Sequence, residues 1–237
     1  MQELLMGTNT VLFYFAIAAT TALLCRVLIR IPDELFRKIL HCILLGSFPV
    51  FLFGFSVWKA ASLEAVGFAV IVYPILAVLE HIDGFSKLTT ERKHGELKQS
   101  LLLVFSMFAF IIAICWGYLD DRYLALASVY AWGFGDAAAA LVGKKYGKHK
   151  IRWKHTDGKK SVEGSCAMFL VSLISVTIIL LLRGGLPAAG YVVIPSVTAL
   201  VSTLAELYSK NGNDTVICPV CAMTVLIPLV YLFGGLT

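Results

Sequence analysis

The chain alternates between long apolar runs and short polar segments. Each apolar run has about 20 residues, the length that an α-helix needs to cross the hydrocarbon core of a bilayer. Helices surrounded by lipid are apolar on most faces, so length and flanking charge define the elements better than periodicity does. The pattern predicts an all-α, polytopic transmembrane helical bundle of about eight spanning helices, at residues 10–29, 39–57, 60–80, 100–119, 122–143, 164–182, 188–206 and 216–236.

Composition agrees with this prediction, because 59% of the residues are hydrophobic and 15% are charged. Such a chain is too apolar for a soluble globular domain. Its 237 residues are also too few for several membrane domains. We therefore expect a single membrane-embedded domain over residues 1–237.

The positive charges fall on one side of the predicted bundle. With the N-terminus outside, the loops on the inner side and the adjoining helix ends hold 17 of the 20 Lys and Arg residues, and the outer side holds 3. The positive-inside rule predicts such a division and assigns the basic side to the cytoplasm. The outer three are Lys59, Arg122 and Arg183, and the inner ones are Arg26, Arg30, Arg37, Lys38, Lys87, Arg92, Lys93, Lys98, Lys144, Lys145, Lys148, Lys150, Arg152, Lys154, Lys159, Lys160 and Lys210.

Asp136 is a carboxylate inside the fifth apolar run. Near the middle of a spanning helix an aspartate costs about 2.5–3.5 kcal/mol, so it requires a partner or a function. It lies seven residues before Gly143, or about 10 Å from the expected cytoplasmic end of the helix at 1.5 Å per residue. A purely structural carboxylate bonded to a neighbouring helix is the alternative. Gly135, Ala139 and Gly143 form a small-residue stripe that is typical of close helix packing.

A strongly basic loop follows this helix, and residues 158–165 (GKKSVEGS) end it. Ser161 is a candidate N-cap for the sixth helix, and Glu163 suits the first turn. An open helix N-terminus presents unpaired N–H groups to an anion, with Lys159 and Lys160 beside it. The loop therefore suits a polyphosphate or an acidic lipid surface, although lysines before a membrane helix are also ordinary topology anchors.

A third cluster, residues 32–41 (PDELFRKILH), begins the second helix. Arg37 and His41 are four residues apart and share a helix face. They could bind phosphate or accept a proton from a hydroxyl. Interfacial charges with a hydrogen-bonded histidine are the alternative.

A fourth cluster, residues 205–220 (AELYSKNGNDTVICPV), joins the last two helices. Glu206 ends one helix, and Asp214 precedes the next apolar run. Asp214 either caps the eighth helix or converges with Glu206 and Asp136 on a divalent cation, since all three have similar predicted depths.

These four clusters, in this order, resemble the CTP-dependent lipid kinase family, which includes phytol kinases, dolichol kinases and CTP-using diacylglycerol kinases. The resemblance covers roughly residues 32–220; Ser161 stands where threonine is common, and Thr215 stands where asparagine is expected. It implies Mg²⁺ or another divalent cation as cofactor and CTP as phosphoryl donor. The implied catalytic residues are Asp136, His41, Arg37 and Lys38; the nucleotide-binding residues are Gly143, Gly147, Lys159, Lys160, Ser161, Glu163, Gly164 and Ser165; and the metal ligands are Asp136, Glu206 and Asp214.

The implied activity is transfer of the γ-phosphate of CTP or another nucleoside triphosphate to the hydroxyl of a membrane lipid alcohol: phytol, a polyprenol, dolichol or diacylglycerol. The expected partners are this alcohol, the nucleotide and the bilayer, with no nucleic acid.

The basic segment also resembles CDP-diacylglycerol synthases, which are phosphatidate cytidylyltransferases. Their histidine-rich carboxyl-terminal stretch is missing after His155, which favours the kinase. A transporter is a further alternative, but the charges crowd onto one face instead of the midplane.

Overall fold

The computed structural model describes residues 2–29, 31–81, 95–152, 156, 158, 160–210 and 212–236. Within these residues, eight helices are long and apolar enough to cross a membrane. The predicted all-α class is confirmed, since the described residues form no strand beyond one isolated bridge between Lys150 and Ser161. The helices are α1 (Gln2–Ile29), α2 (Asp33–Phe53), α3 (Trp58–Leu79), α4 (Glu96–Ile111, continuing as a π-helix over Ile112–Tyr118), α5 (Arg122–Tyr146), α6 (Val162–Arg183), α7 (Ala188–Tyr208) and α8 (Asp214–Leu232).

Several helices extend beyond the apolar runs that predict them. The second begins at Asp33 instead of residue 39, and α5 continues to Tyr146 instead of ending at residue 143. Backbone hydrogen bonding does not stop at the membrane boundary, and charges of the right sign favour each end. Asp33 lies in a first turn, while Lys144 and Lys145 lie in a last turn, where the helix dipole is negative.

The chain forms two compact units, one up to Ala113 and the other from Ile114 onward. The single catalytic domain over residues 1–237 is not tested by this division and stays a prediction. So do the external N-terminus and the cytoplasmic side of the basic loops.

The first unit has an aromatic core. Phe48, Phe51, Phe105 and Phe108 are fully buried, and the ring centroids of Phe48 and Phe108 are 4.4 Å apart. They belong to α2 and α4, whose apolar faces they join. Burying rings of this size dominates the energetics of such a core.

The second unit is organised around α5, which packs against α6, α7 and α8. The carbonyl oxygen of Ala131 on α5 accepts hydrogen bonds from Ser172 Oγ on α6 and Ser202 Oγ on α7, the latter at 3.2 Å. All three residues are fully buried. The three helices therefore meet at one shared acceptor.

A buried ion pair closes the end of this unit where α5 begins. Asp121 is the N-cap of α5, and its Oδ1 accepts from the N–H groups of Tyr123 and Leu124 at 3.0 Å. Its Oδ2 lies 2.5 Å from Nε of Arg183 at the end of α6. The same guanidinium donates to the carbonyls of Gly184 and Gly235. Arg183 thus joins two helix ends to the segment after α8.

Candidate active site

Four helix ends carry most of the predicted site residues, and all belong to the second unit. The helix α5 ends at Tyr146, α6 begins at Val162, α7 ends at Tyr208 and α8 begins at Asp214. Close approach of Gly143 to Gly164 and the contact of Lys160 with Glu206 join the ends of α5, α6 and α7 at one end of the unit. The clusters at residues 158–165 and 205–220, which are far apart in the sequence, are therefore in contact.

The glycines allow α5 and α6 to pack closely at this end. A Cβ added to Gly164 would lie 2.9 Å from the carbonyl oxygen of Ala139 and 3.3 Å from Cα of Gly143. A Cβ added to Gly147 would overlap Ser161. Close packing of the small-residue stripe is therefore confirmed. A role of Gly143, Gly147 and Gly164 in nucleotide binding stays a prediction.

The start of α6 is built by two short segments that pair in antiparallel fashion. The N–H of Ile151 donates to the carbonyl of Lys160 at 2.9 Å, and the N–H of Val162 donates to the carbonyl of His149 at 3.0 Å. Ser161 is the N-cap, as the sequence predicts, and its Oγ accepts from the N–H of Gly164 at 3.2 Å. We define residues 149–151 with 160–162 as the loop base.

The expectation of unpaired N–H groups at this helix start is therefore wrong for Val162 and Gly164. The chain supplies its own acceptors, the His149 carbonyl and the Ser161 hydroxyl. The buried Oγ of Ser165 does lack a hydrogen-bond partner among the described residues. Lys159 lies outside the described residues. Nucleotide binding by residues 161–165 stays a prediction.

Glu163 belongs to the first turn of α6, as expected, and reaches back to the loop base. Its carboxylate accepts from the backbone N–H of His149 at 3.2 Å, and its Oε1 lies 2.7 Å from His149 Nδ1. The sequence does not identify His149 as the partner of Glu163. The available signal was weak, because a glutamate beside a cap serine does not indicate which distant residue it binds.

Lys160 contacts the end of α7. Its Nζ lies 3.0 Å from Oε1 of Glu206 and donates to the carbonyl oxygens of Glu206 and Ser209, the latter at 3.2 Å. Glu206 is buried, with 8% of its surface exposed. The sequence predicts phosphate contact for Lys160, which stays a prediction, and it gives no signal for Ser209.

The three predicted metal ligands share one electrostatic neighbourhood. Asp136 and Asp214 both interact electrostatically with the Glu206 carboxylate. Asp136 is half-buried and lies ten residues before the end of α5, so it is about 15 Å from that end at 1.5 Å per residue. The expected distance of 10 Å is too short because the lysine-bearing turn stays helical. Asp214 is the first residue of α8, and Asn213 takes the N-cap position.

Carboxylate oxygens are the ligands that Mg²⁺ prefers, so the chemistry of these donors fits the expected cation. Their positions in this structure fit a metal site less well than their chemistry does. No three His, Cys, Asp or Glu side chains of the described residues stand close enough together to hold a metal ion. One oxygen of Glu206 also bonds Lys160. The magnesium site stays a prediction.

The remaining predicted residues belong to the first unit. Arg37, Lys38 and His41 are half-buried on α2. Nη1 of Arg37 lies 3.5 Å from Oε2 of Glu34, one turn earlier on the same helix. This pair is an ordinary helix-surface contact, worth a few tenths of a kcal/mol. The catalytic role of Arg37, Lys38 and His41 stays a prediction.

Comparison with known proteins finds a curated relative of this chain. No protein-family model and no solved structure matches the chain. The chain is 29% identical over 231 residues to a curated protein, the phytol kinase of Synechocystis sp.. The alignment covers 93% of this chain and 89% of that kinase, including all four clusters and the membrane helices between them. The resemblance to the lipid kinase family that the motifs indicate is thereby confirmed over nearly the whole chain.

Proposed function

We propose that this protein is an integral membrane kinase that transfers the γ-phosphate of CTP to the hydroxyl of a membrane lipid alcohol. The observation that carries the proposal is the similarity to phytol kinase along 93% of the chain. The name of that relative supports an isoprenoid alcohol such as phytol as the acceptor. Polyprenol, dolichol and diacylglycerol are the other acceptors to compare.

Phosphoryl transfer depends on positioning and charge neutralisation more than on covalent chemistry by the protein. Asp136, Glu206 and Asp214 would have to come closer together than they are in this structure to hold Mg²⁺, which would neutralise charge on the phosphate oxygens. The exposed lysines of residues 144–150 would attract the triphosphate. The buried Oγ of Ser165 has no partner among the described residues, so a nucleotide that reached it would supply the missing hydrogen bond.

The acceptor requires a site that is polar at one end and apolar along its length. An isoprenoid tail would lie among the spanning helices, leaving its hydroxyl beside the carboxylates. Asp136 would orient or deprotonate this hydroxyl. The same role for His41, which belongs to the first unit, stays a prediction. We propose the cytoplasmic face for the reaction because the topology predicted from the sequence puts 17 of the 20 Lys and Arg residues on that side.

Purified protein in lipid vesicles, given γ-labelled CTP and one alcohol at a time, tests the proposal. We expect label in the lipid fraction, and the panel of phytol, polyprenol, dolichol and diacylglycerol identifies the acceptor. Parallel reactions with ATP, GTP and UTP test the donor. A separate reaction with phosphatidate tests the alternative: label released from CTP as pyrophosphate would instead identify a cytidylyltransferase. Substrate uptake without nucleotide turnover would identify a transporter.

A further inference from the structure

Lys160 uses all the donors that it has. An ammonium group carries three N–H bonds and no acceptor. In this structure they are directed to the Glu206 carboxylate, the Glu206 carbonyl and the Ser209 carbonyl. Contact with a phosphate would therefore require Lys160 to give up bonds that it already makes.

The surroundings strengthen these bonds. The side chain of Lys160 is 17% exposed and that of Glu206 is 10% exposed, so solvent screens the pair only partly. The two carbonyls belong to the last turn of α7 and the residue after it, where the helix dipole is negative and favours a cation. The carboxylate and the two carbonyls therefore offset the desolvation cost of the partly buried ammonium.

The backbone of Lys160 is held by the loop base. Its carbonyl accepts from the N–H of Ile151, and the next residue, Ser161, caps α6. Lys160 therefore connects the loop base to the end of α7. Displacement of its side chain would release Glu206, a buried residue whose carboxylate interacts electrostatically with Asp136 and Asp214.

We infer that Lys160 is a positioning residue that orients the Glu206 carboxylate and anchors the end of α7, and that it does not contact the phosphates. The inference rests on the proposed function, since it gives Lys160 a role in that reaction. The carboxylates of Asp136, Glu206 and Asp214 supply negative charge, which Lys160 partly neutralises. The ion pair uses Oε1 of Glu206 and leaves its other carboxylate oxygen outside the pair. The exposed lysines of the loop attract the nucleotide.

Steady-state kinetics of K160M, E206Q and the double variant test this assignment, with K210M as a matched control. Lys210 follows Ser209 on the same segment and is exposed. We expect K160M to lower kcat by roughly 10-fold or more while KM for CTP changes by less than about 3-fold. The double variant should be no slower than E206Q, to within about 3-fold, because both changes act on one group. K210M should behave as the wild type.

A KM for CTP raised about 10-fold with unchanged kcat would show phosphate contact and overturn the inference. Losses that multiply in the double variant would overturn it too. Thermal unfolding of the nucleotide-free variants gives a readout independent of turnover: the shifts of K160M and E206Q should be non-additive, and additive shifts would contradict the contact. If the wild-type protein phosphorylates no alcohol, the proposed function is refuted, and so is the catalytic role of Lys160. Non-additive shifts in Tm would then still support the contact between Lys160 and Glu206.

Discussion

Replacement of Arg183 by methionine should destabilise the second unit strongly. The change removes the cation that neutralises Asp121 and the donor that reaches the carbonyl of Gly235. Both side chains of the ion pair are 10% exposed, so water cannot readily replace the lost partner. Asp121 would keep its two backbone N–H donors but would hold a buried, uncompensated charge.

The magnitude follows from this burial. Breaking a buried ion pair by removing one partner costs about 3–5 kcal/mol, because the remaining charge stays desolvated. For a chain of 150–250 residues, each kcal/mol lowers Tm by about 2–4 °C, so R183M should unfold roughly 6–20 °C below the wild type. D121N should also destabilise the protein, although asparagine caps a helix nearly as well as aspartate.

Thermal unfolding in detergent micelles, followed by circular dichroism, measures these shifts. The double variant D121N/R183M should lose less than the two single variants together, since it contains neither unpaired charge. A Tm for R183M within about 2 °C of the wild type, or additive losses, would show that the pair contributes little. Asp121 and Asp136 are 15 residues apart on α5, about 22 Å along the axis, so R183M that remains folded should retain its KM for CTP.

Three further predictions concern the site and its packing. D136N should lower lipid phosphorylation by roughly 100-fold or more while its circular dichroism spectrum and Tm stay close to those of the wild type; loss of folding would instead favour a structural carboxylate. Chelation of divalent cations by EDTA should stop label transfer and added Mg²⁺ should restore it; transfer that persists in EDTA would contradict the metal assignment. G164A should cost about 1–3 kcal/mol of unfolding free energy, since its Cβ would lie 2.9 Å from the Ala139 carbonyl oxygen. G67A, whose Cβ would meet no atom within 4 Å, is the control and should not destabilise.

The spanning helices could be predicted because lipid leaves the backbone few alternatives. Every N–H and C=O group in the hydrocarbon core must be bonded within the protein, so an apolar run of spanning length becomes a helix. Helix ends were less predictable. The last turn of α5 contains Lys144 and Lys145, which hydropathy excludes from a span but a helix accommodates.

Contacts within the site between residues close in sequence could also be predicted. Contacts between residues far apart in sequence could not. Ser161 is recognisable as an N-cap because the cap hydrogen bond spans three residues. The acceptor of the Val162 N–H comes from His149, thirteen residues earlier. Likewise, the sequence identifies Lys160 as a charge but cannot identify its partner, because that choice depends on the position of the end of α7.

The shared carbonyl of Ala131 has a consequence for the depth of the site in the membrane. Helices in lipid slide along one another easily when their contacts are purely apolar, because one methyl group replaces another. The hydroxyls of Ser172 and Ser202 have no equivalent partner one turn away. A shift of α5 by one turn, about 5.4 Å, would leave both hydroxyls without this acceptor. These two hydrogen bonds therefore fix the position of α5 along its axis. Asp136, five residues further along, is thereby held at a fixed height relative to Glu206 on α7.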